Sequence, residues 1–142
     1  MSSNRENAKR IYQANSEPTE AIVFVNWMKA RNLRGFINMY RLSWSVNQMM
    51  QRARKNGLFD ARVAIVGPRE VLVVSYWENE EALRASFRDK AHVEMMRYTY
   101  QYPDDLVLGN ETYSRPFSTR YLNEAGGFAL AKSIHTPQEI PA

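Results

Sequence analysis

Three short runs in this 142-residue chain are apolar at successive positions rather than at alternate ones: Ile22-Val23-Phe24-Val25, Val63-Ala64-Ile65-Val66 and Val71-Leu72-Val73-Val74. Their β-branched and aromatic content marks them as strands. A strand with one wet face alternates apolar and polar residues, so a strand apolar on both sides needs cover on both. That demand limits the folds open to the chain more than any other feature.

The elements around these runs follow from local signals. Ala21–Trp27 reads as the first strand, followed by a basic connector over 29–35. From Phe36 to Lys55 there is no Pro or Gly, and Asn56-Gly57 is a helix stop. At 100° per residue Met39, Leu42, Val46, Met49, Met50 and Ala53 share one face of that helix, a core stripe. Phe36, Ile37, Tyr40 and Trp44 form a second apolar patch, either a pocket wall or a helix end covered by the N-terminal arm. Two more strands, Phe59–Val66 and Val71–Trp77, flank the loop Gly67-Pro68-Arg69-Glu70. Asn79 can cap a short helix over 78–87, with Glu80 and Glu81 in its first turn. A second helical piece spans 90–101 and stops at Tyr102-Pro103, and Leu106–Tyr113 is the last strand. Residues 1–20 read as a polar lead-in, 21–115 as one domain, and 116–142 as an irregular extension.

Strand, helix, strand, strand, helix, strand is the ferredoxin-like split βαββαβ plan, an α+β fold with a four-stranded antiparallel sheet and helices on one face. Helices on one face leave the other bare. The economical cover is the sheet of a second copy, so a homodimer is expected.

Composition narrows the function. The net charge is +4, but its nineteen basic residues are scattered and accompany no nucleic-acid-binding signature, so no nucleic-acid partner is expected. No apolar run is long enough to span a membrane. Residues 1–10 are polar and lack the apolar core of a secretory signal, which points to the cytoplasm. Cysteine is absent, removing disulfides and thiolate metal sites. No P-loop, dinucleotide fingerprint, metal triad or nucleophile elbow is present, so neither cofactor nor metal is expected.

The stretch from Val73 to His92, VVSYWENEEALRASFRDKAH, has a strand ending in Trp77, an acidic helix start, an Ala-Leu pair, an aromatic residue, and a His opening the next helix. It resembles the dimeric α/β-barrel superfamily of antibiotic-biosynthesis-type monooxygenases, over roughly residues 20 to 115. The resemblance implies a pocket between sheet and helices for a small hydrophobic molecule. It also implies a choice of chemistries: cofactor-free oxidation of phenols by O₂, cyclisation or isomerisation, haem cleavage, or binding alone. The haem-cleaving branch carries a Trp and a haem-ligating His ten residues apart; here the matching positions are Phe87 and Arg97, and a guanidinium cannot ligate iron. Haem cleavage is therefore disfavoured.

His92 is the first candidate for chemistry, because the only other histidine, His135, lies in the extension. Near a helix N-terminus its pKa falls, keeping it neutral as a base requires. If it is catalytic rather than a packing residue, its replacement costs turnover and leaves the melting temperature nearly unchanged. Asn26 and Trp77 are the further catalytic candidates, because the resemblance implies an Asn and a Trp that steer oxygen chemistry. Asn26 and Asn110 are polar residues inside apolar strands, and since a buried polar group must be paired, each faces water, bonds a neighbour (the preferred reading) or serves a ligand. Trp27, Tyr40, Arg97, Tyr98 and Asn110 are the substrate-binding candidates. Tyr98, Tyr100 and Tyr102 cannot all face one site on a helix. The methionines are read mainly as core fillers that would also suit a flat aromatic ligand.

Overall fold

The computed structural model describes residues 10–13, 20–114, 121–122 and 138–141. Its elements are β1 (Ile11–Gln13), β2 (Ile22–Ala30), α1 (Leu33–Ala53), β3 (Leu58–Gly67), β4 (Glu70–Trp77), α2 (Glu80–Ser86), α3 (Lys90–Gln101), β5 (Leu106–Ser114), β6 (Tyr121–Leu122) and β7 (Gln138–Ile140). The main sheet is antiparallel throughout, in the order β3-β4-β2-β5. With helices packed on one face, this is the expected ferredoxin-like α+β fold.

Burial separates the two faces that the sequence leaves equally apolar. Along β4 it alternates strictly: Val71, Val73, Ser75 and Trp77 are buried, and Leu72, Val74 and Tyr76 only half-buried. In β2, Ile22, Phe24, Met28 and Ala30 are buried beneath the helices, whereas Val23, Val25 and Trp27 point the other way and are half-buried. All six residues of the expected α1 stripe are buried, with Met39 and Leu42 at 0 % exposure. Of the second patch on α1, Phe36 packs against the core, whereas Ile37, 60 % exposed, and Trp44, 66 % exposed, point outward.

The connector expected over 29–35 is shorter than its composition suggests. β2 runs on to Ala30, and α1 begins at Leu33 with Gly35 inside its first turn. The Asn32 side chain caps the helix by accepting the Gly35 N–H at 2.7 Å. The glycine is there for proximity, since a Cβ on it would stand 2.1 Å from the Asp105 backbone oxygen. That contact seats the start of β5 against the start of α1.

Asp105 itself is fully buried and ties three elements together. Its carboxylate accepts from Arg34 at 2.7 Å, Asn32 at 2.8 Å and the Tyr98 hydroxyl at 2.6 Å. The Arg34 guanidinium, helped by Tyr98 and Asn32, holds that carboxyl well below the usual carboxylate range. Arg34 also lies over the Tyr102 ring, 4.1 Å from its centroid.

Three short strands lie outside residues 21–115. Tyr12 pairs with Tyr121 and Glu139, so β1 is the middle strand of a second sheet in the order β6-β1-β7. Partners more than a hundred residues apart leave no local periodicity to detect. Among the described residues no helix is long and apolar enough to cross a membrane.

Candidate functional site

Between the helix-facing side of the main sheet and the three helices lies a cavity of about 220 Å³. On the sheet side its wall includes Phe24, Asn26, Met28, Trp77 and Asn110; on the helix side it includes Met49, Met50, Phe87, His92, Met95 and Met96. Five of these eleven are methionines, sulfur-bearing chains that adapt to flat apolar guests.

His92 reaches this wall through a chain of local contacts. Asp89 caps α3 by accepting the Ala91 N–H at 2.9 Å, and Arg52 of α1 grips the same carboxylate at 2.8 Å. The cap sets where the helix begins, and so aims the third residue of its first turn. The half-buried imidazole stacks on Phe87, with ring centroids 4.8 Å apart. Burial pushes its pKa below the ordinary 6.5, while a hydrogen bond to the Phe87 carbonyl and the Asp89 charge pull upward. The direction agrees with the expectation from the sequence, but desolvation rather than the helix terminus is the leading cause.

Trp77 sits at the cavity with 1 % of its surface exposed. Its indole N–H donates to the Ser75 hydroxyl at 2.9 Å, and Ser75 in turn donates to the Phe24 carbonyl at 3.2 Å. Trp77 therefore offers a ligand its ring and not its N–H. Asn26 and Asn110 are cross-strand partners on the helix-facing side, and both border the cavity. The Asn26 side-chain oxygen is buried and accepts no hydrogen bond among the described residues. The Trp27 ring lies on the other face of the sheet against Gly109, where a Cβ would stand 2.1 Å from an indole ring carbon, and the residue borders the cavity at its strand position between Asn26 and Met28.

The remaining candidates lie off the wall. Tyr40 donates its hydroxyl to the Pro68 carbonyl at 3.2 Å. The Tyr98 phenol is committed to Asp105, and burial first and that carboxylate second push its pKa up to about 12. Arg97 is exposed and does not border the cavity. The structure thus brings His92, Asn26, Trp77, Trp27 and Asn110 to one cavity and leaves Arg97, Tyr98 and Tyr40 outside it. His135 lies outside the described residues. Reading the sequence missed Phe87 as the ring beneath His92 and Ser75 as the anchor of Trp77. The five-residue step from Phe87 to His92 spans the break between two helices, so no helical periodicity connects them.

Comparison with known proteins settles the kinship: the monooxygenase af470-like family matches residues 21–120. The chain belongs to that family. The match covers the whole main sheet and every described helix of this af470-like chain, in line with the resemblance carried by the Trp77-to-His92 stretch. SnoaB, a cofactor-independent oxygenase from Streptomyces nogalater, in a mutant crystal structure, has a TM-score of 0.51 at 7 % identity over 69 % of this chain and 95 % of that one. A protein of unknown function from Nitrosomonas europaea gives 0.53 at 10 % identity, covering 68 % and 91 %. A protein from Pseudomonas aeruginosa gives 0.51 at 10 %, covering 68 % and 95 %. At such identities the likeness is one of fold. No curated protein matches the chain. Among the described residues no group of three His, Asp or Glu side chains could hold a metal ion.

Proposed function

We propose that this protein is a cofactor-independent monooxygenase that oxidises a small hydrophobic aromatic or polyketide-like molecule in the sheet–helix cavity. One observation carries the reading. Among the described residues, His92 is the only Asp, Glu, Lys, Arg, Tyr or His on the cavity wall, and burial favours its neutral form.

In this reading His92 takes a proton from a phenol or enol lying against the methionines and the Trp77 ring. The Phe87 carbonyl and Asp89 favour the imidazolium that forms, which in turn pairs with the new anion. Excluding water from the apolar cavity strengthens that pairing. The electron-rich anion then reacts with O₂. One oxygen atom becomes a carbonyl on the substrate, and the other leaves as water with the two hydrogens the substrate has lost, one of them returned by His92. The active form is a homodimer with the open sheet faces together, the dimeric α/β barrel. The half-buried Val23, Val25, Leu72 and Val74 support this, since they form an apolar surface that one chain leaves uncovered.

Oxygen uptake tests the proposal. The protein, without added cofactor, is mixed with hydroxylated arenes in an oxygen electrode, with His92→Gln as the control. At least one arene is expected to consume O₂ and to carry one labelled oxygen atom in its product. Uptake no faster than the control across the series refutes the oxygenase and leaves a cyclase, an isomerase or a binding module of the same fold.

A further inference from the structure

We infer that the cavity selects a neutral hydroxyarene of one or two rings, whose hydroxyl donates to the side-chain oxygen of Asn26. The inference rests on the proposal that this cavity is the substrate site, and it adds the size, charge and polarity of the occupant.

Size follows from volume. An apolar cavity of roughly 150 Å³ admits benzene. The cavity here, at about 220 Å³, is half as large again. That suits a two-ring ligand and is short for three or four fused rings unless the walls part. Charge follows from the lining. No Lys or Arg borders the cavity among the described residues, and His92 favours its neutral form. A carboxylate entering it would lose its water without gaining a cation.

Polarity follows from Asn26. No hydrogen bond holds its side-chain amide among the described residues, although its oxygen is buried. The cross-strand neighbour Asn110 is another amide on the same wall and makes no bond to it. An Asn terminal torsion is soft, so an unheld amide can turn its oxygen to a guest. A ligand with a hydroxyl satisfies that acceptor, whereas one with only an ether oxygen leaves it dry. Sites built around one unpaired polar group reject the analogue that cannot pair with it. His92 stands on the helix side of the cavity, on α3, placed to take the proton of a second hydroxyl on the same ring system.

The test is binding measured calorimetrically without oxygen, so that turnover plays no part. Naphthol, methoxynaphthalene, naphthoate and hydroxyanthracene are titrated into the full chain and into Asn26→Ala. Naphthol is expected to bind about tenfold or more tighter than methoxynaphthalene, and tighter than naphthoate or hydroxyanthracene. In Asn26→Ala the advantage of naphthol over its methyl ether is expected to disappear. If the ether binds the wild-type protein as well as naphthol does, or hydroxyanthracene binds better, the inference falls, and neither result depends on the variant folding. The two proposals fail separately. Selective naphthol binding without oxygen uptake sinks the oxygenase and spares the selectivity, whereas oxygen uptake on a three-ring substrate by a protein that ignores naphthol does the reverse.

Discussion

Replacing His92 with Gln tests the chemistry most directly, and the structure alters what the experiment must look for. A purely catalytic histidine could be exchanged with no change in stability. Here the imidazole stacks on Phe87 at 4.8 Å and bonds its carbonyl. An aromatic contact of this kind contributes about 0.5–1.5 kcal/mol. Gln keeps an N–H that can reach the carbonyl, so the expected loss is about 1 kcal/mol, or roughly 2–4 °C in Tm for a chain of this size. Removing a positioned base costs about 10²–10⁴-fold in rate. The signature is therefore a small drop in Tm beside a large drop in turnover, with naphthol binding nearly unchanged.

The pH dependence supplies an independent check. Because the folded pKa of His92 lies below 6.5, the unfolded chain binds the extra proton first. This residue's contribution to stability is complete above pH 6.5, falls as the pH drops through that value, and levels off below the folded pKa. The His92→Gln variant is expected to lose that component of the slope, and wild-type turnover to persist somewhat below pH 6.5. Calorimetric melting at several pH values, with oxygen uptake alongside, measures both. Unchanged turnover, or a Tm loss above about 10 °C with binding destroyed (several times the stacking contribution), would falsify the catalytic assignment and make His92 a structural residue.

Two further outcomes probe the frame around the site. Gly35→Ala forces a Cβ to within 2.1 Å of the Asp105 backbone oxygen, so it is expected to destabilise the fold by at least about 1–3 kcal/mol; urea unfolding at the wild-type midpoint would show the close approach to be dispensable. Light scattering at micromolar concentration is expected to give twice the chain mass, and a monodisperse monomer would refute the face-to-face sheets.

Local pattern was sufficient for much of the fold. The α1 stripe from Met39 to Ala53 is a 3.6-residue periodicity, and each of its residues is buried as that periodicity requires. Asn79 and the 90–101 helix were readable because caps and stops act within a few residues, where sequence neighbours are also spatial neighbours. Burial demand pointed to one candidate wall as well, since Asn26 and Asn110 stand out as polar residues in apolar strands.

Other features depended on contacts between residues distant in the chain. Gly35 looked like part of a loop because its reason for being small is Asp105, which only the sheet order brings alongside. Tyr98 looked available to a ligand until β5 delivered that same carboxylate to its hydroxyl. Trp77 was recognisable as a strand-end aromatic, but the fate of its N–H rests on Ser75, a side chain on the same face of β4. The split βαββαβ plan, the core stripe of α1 and the candidacy of His92 were legible along the chain, because propensity, periodicity and residue scarcity are written locally. Which candidates share a cavity, that burial is the leading cause lowering the His92 pKa, and that β1 pairs with β6 and β7 in a second sheet emerged with folding. Each of those depends on distances between distant residues, and those distances exist only once the chain has folded.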